Sequence, residues 1–180
     1  MTKTAKNLLS ALRIALPALL TLLWLGFIFG NSLQTGTDSG NASGRVYTLV
    51  NAIPEMLGWG SPISHYFVRK AAHFTEFAIL AALVCADLWC FRIVSIKQSL
   101  KRSLPTLSLS IPFCVICAAA DELIQNFSEG RGPSVKDVFI DASGVLFATI
   151  IFVIMFYIIK IMHNKYVSNN TTNIILSPNI

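Results

Sequence analysis

Apolar residues in this chain fall into four long runs separated by short polar stretches. The runs extend from Ala11 to Gly30, from about Lys70 to Phe91, from Pro105 to about Gln125, and from about Val138 to Ile161. At the helical rise, about twenty residues reach about 30 Å, the thickness of a bilayer's hydrocarbon core. The pattern therefore predicts an all-α membrane protein with four transmembrane helices, spanning 11–30, 70–91, 105–125 and 138–161. The first run follows a basic amino end, as a signal peptide's would. It is long for an h-region, and no A-x-A-like cleavage site follows it, so it predicts an uncleaved span. Pro17 near its start predicts at most a mild kink.

The polar stretches carry their own patterns. Asn31 to Gly40 is turn-rich. From Ser39 to Leu57, the apolar positions Val46, Leu49, Val50, Ile53 and Leu57 recur at helical spacing. They predict an amphipathic helix at the membrane interface or over the end of the bundle, ended or bent at Pro54. Trp59, His65, Tyr66 and Phe67 fall just before the second span, where aromatic residues favour the membrane–water boundary. Residues 163–180 form a polar tail rich in Asn, Ser and Thr, and its lack of pattern predicts poor order.

Composition agrees with a membrane protein: 54% of the 180 residues are hydrophobic and 13% are charged, about half the charged share of a soluble domain. The net charge of +5 is topological in its distribution. Nine of the 14 basic residues (Lys3, Lys6, Arg13, Arg92, Lys97, Lys101, Arg102, Lys160 and Lys165) lie in three acid-free segments. Four spans bring those segments to one side, which the positive-inside rule makes cytoplasmic. The reading therefore has residues 1–10 and 163–180 in the cytoplasm and excludes nucleic acid as a partner. Arg45, Arg69, Lys70, Arg131 and Lys136 mix with acids on the outer side. Cys85, Cys90, Cys114 and Cys117 all lie within apolar runs and read as buried free thiols; Cys114-x-x-Cys117 has no second half to complete a metal site.

Two polar knots interrupt this pattern, Arg69 to Glu76 and Asp121 to Asp141. Residues three and four apart share a helix face. Arg69, His73, Glu76 and Leu80 therefore form one stripe on the second span. Asp121 and Gln125 form another on the third, with Glu122 turned aside, and Asp137, Asp141 and Gly144 form one on the fourth. Gly130, Gly132 and Pro133 allow a tight reversal with Arg131 at its tip. Intramembrane ionisable groups on three spans at one depth predict a functional site at the outer end. The plainer alternative is mutual pairing that holds the bundle shut, Glu76 or Asp121 with Arg131 and Asp141 with Arg69.

The set His73-Phe74-x-Glu76-Phe77-Ala78-x-Leu80, Asp121-Glu122-x-x-Gln125-x-Phe127 with Gly130-Arg131, and Asp137-x-x-x-Asp141-x-x-Gly144 resembles the VanZ-like family of bacterial membrane proteins. The resemblance covers about Trp24 to Phe152, including the polar exit Asn31-Ser32. It departs at Ile124, where family members often have His, and Asn alternates with Asp at the position of Asp141. It implies a VanZ-like membrane domain over 11–162, placement in a bacterial cytoplasmic membrane, and a role at the cell envelope. The family's name comes from a member linked to low-level resistance to the glycopeptide teicoplanin.

Three functions of different classes fit these residues. In the first, the outer face binds a polar or anionic envelope headgroup: a membrane lipid, a lipid-linked cell-wall precursor or a glycopeptide. Its ligand-binding set is Arg69, His73, Glu76, Asp121, Glu122, Gln125, Arg131, Asp137 and Asp141, with Lys136 a further anion contact. In the second, a membrane-embedded hydrolase or transferase uses His73, Glu76 and Asp121 catalytically, with Arg131 stabilising developing charge. There, His73, Glu76, Asp121 and Asp141 could hold a divalent metal, although the H-E-x-x-H signature and a G-x-S-x-G elbow are both missing. In the third, a small transporter uses Asp87 to extend a path inward. The sequence names no particular cofactor or metal.

Overall fold

The computed structural model describes residues 2–60, 63–91 and 93–176. Arg92, counted above among the basic segments, lies outside the described residues, as do residues 177–180 of the tail. Among the described residues the elements are α1 (Lys3–Ser32), α2 (Gly36–Met56), α3 (His65–Cys90), α4 (Leu100–Ser108), α5 (Ser110–Gln125) and α6 (Val135–Leu176). Four segments are long and apolar enough to cross a membrane: Asn7–Ser32, His65–Cys90, Leu100–Gln125 and Val135–Ser168. The protein is thus an all-helical, multi-pass membrane protein. α1 passes Pro17 without a break. α2 forms where the amphipathic pattern predicts it, starting three residues earlier and ending two residues past Pro54. α6 runs beyond Ile161 through most of the segment expected to be poorly ordered.

The third span is interrupted once. Pro112 lacks an N–H and its ring crowds the carbonyl four residues earlier, which belongs to Ser108, the last residue of α4. The chain therefore breaks at Leu109, and the Ser110 hydroxyl donates to the Leu107 carbonyl at 2.8 Å across the break.

α3 lies at the centre, packed against α1, α2, α5 and α6. Phe77, Leu80 and Ala81 of α3 meet Ile28 of α1, Cys114, Cys117 and Ala118 of α5, and Val145 of α6 in one buried cluster. A second cluster towards the other end gathers Cys85, Val94, Leu107, Phe152 and Phe156. All four cysteines are free. The outward surface stays apolar, with Leu22 66%, Leu23 61% and Ile116 69% exposed. That surface is stable against lipid and would be a liability in water.

Two glycine contacts bring the helices close. A Cβ on Gly144 of α6 would stand 2.2 Å from the Phe74 carbonyl oxygen of α3, so only glycine allows these two backbones to meet there. A Cβ on Gly36 would stand 2.7 Å from the Gly130 carbonyl oxygen, and the Gly36 N–H donates to the Glu129 carbonyl at 2.8 Å. This second contact clamps the start of α2 onto the turn between α5 and α6, where Gly130 adopts φ +73°. α2 is held on its other flank by Asn51, which exchanges hydrogen bonds with the backbone of Ile63 at 3.0 and 3.2 Å, and by Tyr47 stacked on His65 at 3.7 Å.

The Gly144 contact yields the first prediction. Gly144→Ala should lower the thermal unfolding midpoint of the detergent-purified protein, because overpacking of this kind costs about 1–3 kcal/mol. Gly26→Ala serves as the comparison, since its Cβ would meet nothing within 4 Å and alanine favours the helix. Equal midpoints for wild type and Gly144→Ala would refute the close approach.

Candidate functional site

The ends of α1 and α5 and the starts of α2, α3 and α6 meet at one end of the bundle, and every residue of the sequence-predicted binding set lies there. Polar residues at a helix end inside a membrane need partners within the protein, and most of these have them. Asp121 is buried between a 2.6 Å hydrogen bond from the Ser32 hydroxyl and a 3.1 Å bond from the Gln125 amide. Glu76 accepts from the Asn31 side-chain amide at 2.9 Å, and the Trp24 indole donates to its backbone carbonyl at 2.9 Å. Asp137 is buried and forms an ion pair with Lys70. The Ser128 hydroxyl donates to the Ser32 carbonyl at 2.8 Å, and Arg131 donates to the Asn31 carbonyl at 2.9 Å.

The exit of α1 thus supplies side chains or carbonyls to four groups of the site. Asn31 and Ser32 were visible in the sequence as a polar exit, but nothing in their spacing assigned them to Glu76 and Asp121. Lys70 was also missed as a contact; it lies one position off the stripe through Arg69 and His73, and reaches across to α6.

Glu122 corrects the sequence reading. It faces inward and is buried, accepting from the Ser134 N–H at 2.6 Å and from Gln125 at 3.1 Å. The expectation that it turns aside treats α5 as having one buried face, whereas its end is enclosed by α1, α3 and α6. The expected pairings are also replaced. Asp141 faces His73, with Nδ1 and Oδ1 3.4 Å apart, and Arg131 caps a backbone carbonyl. Lys136 is exposed. Asp87 lies towards the opposite end, where the Thr21 hydroxyl donates to it at 2.7 Å.

At the centre of the cluster the satisfaction stops. Among the described residues, His73 Nδ1 and both carboxylate oxygens of Asp141 are buried without a hydrogen-bond partner. His73, Glu122 and Asp141 each place one potential ligand atom within 4.8 Å of the others. Glu76 and Asp121, offered by the sequence as metal donors, stand outside this group.

Two cavities open beside the cluster. One of about 600 Å³ is lined by Thr35, Thr37, Arg69, Gly130, Arg131 and Gly132, with Gln125, Glu129 and Asp137 also on its wall. The second, about 310 Å³, shares Ser39, Arg69 and Arg131 with the first and reaches Asn31, His73 and Glu76. Arg69 and Arg131 have no carboxylate within the 4.0 Å ion-pair distance among the described residues. Burial, reinforced by the nearby Arg69 charge, lowers the Arg131 pKa from its ordinary value, yet a guanidinium stays charged throughout the ordinary pH range. Two like charges sharing a recess favour an anion between them.

No curated protein and no solved structure matches this chain significantly. One family model does, covering residues 18–158, and its description is VanZ/LLP1. That span includes α2, α3, α4 and α5 whole, the second half of α1 and most of the membrane-spanning part of α6, with every residue of the cluster just described, so the chain belongs to the VanZ/LLP1 family.

Proposed function

We propose that the polar end faces the outside of a bacterial cytoplasmic membrane and binds the anionic headgroup of an envelope lipid or lipid-linked cell-wall precursor. One observation carries this reading, a graded series of adjoining cavities. The first holds two guanidinium groups, threonine hydroxyls and glycine backbone. The second mixes Arg69, Arg131 and Glu76 with Phe27, Val46 and Val68. A third, about 330 Å³, shares Val46, Val68, Ala72 and Glu76 with the second and is otherwise largely apolar, with Trp24, Val50, Phe67 and Ile79. A charged head followed by an acyl or prenyl chain matches that gradient from end to end. Arginine suits the head, because its planar fork binds phosphate in two places. A glycopeptide would offer sugars and peptide groups to the same polar walls, and a link to antibiotic resistance would follow from competition at this site.

Orientation rests on charge. Arg13, Lys97, Lys101, Arg102, Lys160 and Lys165 belong to the end remote from the cavities, and Lys160 reaches the Gln98 carbonyl there. The positive-inside rule assigns that end to the cytoplasm, with both termini.

A second reading, a hydrolase or transferase acting on a lipid-linked substrate, is favoured by one observation. His73 lines the second cavity while its Nδ1 faces Asp141, the arrangement of a base and the group that orients it. Turnover of such a substrate that disappears in His73→Ala while binding persists would favour this reading over simple binding.

Two predictions follow from the binding reading. Purified protein in nanodiscs should bind undecaprenyl phosphate, and Arg131→Ala should weaken binding about ten- to hundredfold, the loss expected for one charged hydrogen-bonding group. Lys97→Ala, which removes the same charge at the opposite end, should leave affinity unchanged. Equal binding by wild type and Arg131→Ala would count against the site. For orientation, a carboxyl-terminal fusion to a reporter active only in the cytoplasm should be active, and a reporter inserted after Thr37 should be silent; the reverse pattern would invert the topology.

A further inference from the structure

We propose that His73, Glu122 and Asp141 form a binding site for one divalent first-row transition-metal ion. The cluster draws one side chain from each of α3, α5 and α6. Its central atoms lack the hydrogen bonds that buried polar groups otherwise make. Asp141 is fully buried with neither oxygen bonded, and the His73 side chain is 10% exposed with Nδ1 unbonded. Ordinary core polar groups are satisfied, as Asp121, Glu76 and Asp137 are at the same end of the bundle. Among the described residues the other unpartnered buried side-chain atom is Asp87 Oδ1, at the opposite end; those at this end belong to His73 and Asp141, which face one another.

The distances suit a metal better than a hydrogen bond. Two ligands each about 2.0–2.2 Å from a zinc ion at the tetrahedral angle stand about 3.4 Å apart. His73 Nδ1 and Asp141 Oδ1 are separated by 3.4 Å. The Glu122 ligand atom lies within the 4.8 Å group, and drawing it in to that spacing needs a carboxylate shift on the order of 1 Å. Glu122 is already oriented by Ser134 N–H and by Gln125, which also holds Asp121. Outer contacts of this kind commonly fix the carboxylate ligands of metals.

Charge points the same way. In their metal-binding forms, a neutral imidazole and two carboxylates, the three would bring two negative charges into a buried place. The nearby cation Lys70 is committed to Asp137, and Arg131 to the Asn31 carbonyl. A dication neutralises the pair. One nitrogen and two oxygen donors without thiolate fit zinc or manganese; Cys114 and Cys117 sit in the apolar core, away from the group. Three protein ligands leave a coordination position open, as in sites that bind water or substrate, and His73 is on the wall of the second cavity.

The inference does not depend on headgroup binding, because metal uptake is read without lipid ligand. Full-length protein in detergent is stripped with chelator, titrated separately with Zn²⁺ and Mn²⁺, desalted, and analysed for bound metal by elemental mass spectrometry. One equivalent of either ion per chain is expected. Asp141→Asn and Glu122→Gln should each lower affinity at least a hundredfold, and His163→Ala, at the other end, should leave it unchanged. Added metal should raise the thermal midpoint of wild type and not of Asp141→Asn, provided that variant elutes as wild type does on size exclusion. Substoichiometric uptake of both ions, or uptake unaffected by Asp141→Asn and Glu122→Gln, would overturn the site.

Discussion

The close approach of α3 and α6 at Gly144 governs the chemistry of this molecule. The Phe74 carbonyl of α3 occupies the space where any other residue at position 144 would carry its Cβ. His73 immediately precedes Phe74, and Asp141 is one helical turn before Gly144 on the same face. Backbone contact therefore determines how far His73 stands from Asp141. A wider separation would let water or a longer side chain satisfy both groups. At the observed 3.4 Å they face one another at ion-pair distance, with no hydrogen bond, among the described residues, to His73 Nδ1 or to either Asp141 oxygen.

Around that pair, the bundle divides its acidic groups by how they are compensated. Asp121 and Glu76 are tied to the exit of α1, Asp137 to Lys70, and Glu122 to the start of α6. These bonds hold α1, α3, α5 and α6 in register at one end, as the plainer reading of the polar knots expected, though through other partners. A carboxylate buried without compensation costs on the order of several kcal/mol. Among the described residues Asp141 has only His73 opposite it, at ion-pair distance and with no hydrogen bond to either oxygen, and a satisfied Asn or an apolar residue would hold the helices at lower cost.

Most of the fold was legible in the sequence because membrane spans depend on length and apolarity, both of which are one-dimensional. The four spans, the amphipathic α2 and the convergence of the polar knots all follow from such patterns. What escaped was lateral detail. Glu122 reads as turned aside when α5 is given a single buried face, but three neighbours surround its end and bury two faces. Lys70 sits beside the stripe of Arg69 and His73, yet its long side chain spans the gap to Asp137 on α6. Arg131 looks destined for a carboxylate by charge, but it donates instead to the Asn31 carbonyl at the exit of α1, which also accepts from the Gln34 N–H. Each error has one origin: helical spacing gives the face of a residue and says nothing of which neighbour stands opposite.

The cavities and the buried cluster meet at His73, and this junction gives the site its two-sided character. On one side the walls grade from paired arginines to an apolar groove between α1, α2 and α3, a sequence of environments that matches the headgroup-to-tail order of a lipid entering from the bilayer. On the other side lies the compact group of His73, Glu122 and Asp141, their potential ligand atoms within 4.8 Å of one another. α2 makes the first side possible. Its amphipathic face contributes Val46 and Val50 to the groove, while Asn51 and the Gly36–Gly130 contact keep it against the bundle at both ends. A headgroup held by Arg69 and Arg131 would then come to rest with His73 and Glu76 beside it, bringing any phosphate or glycan linkage next to the cluster of His73, Glu122 and Asp141.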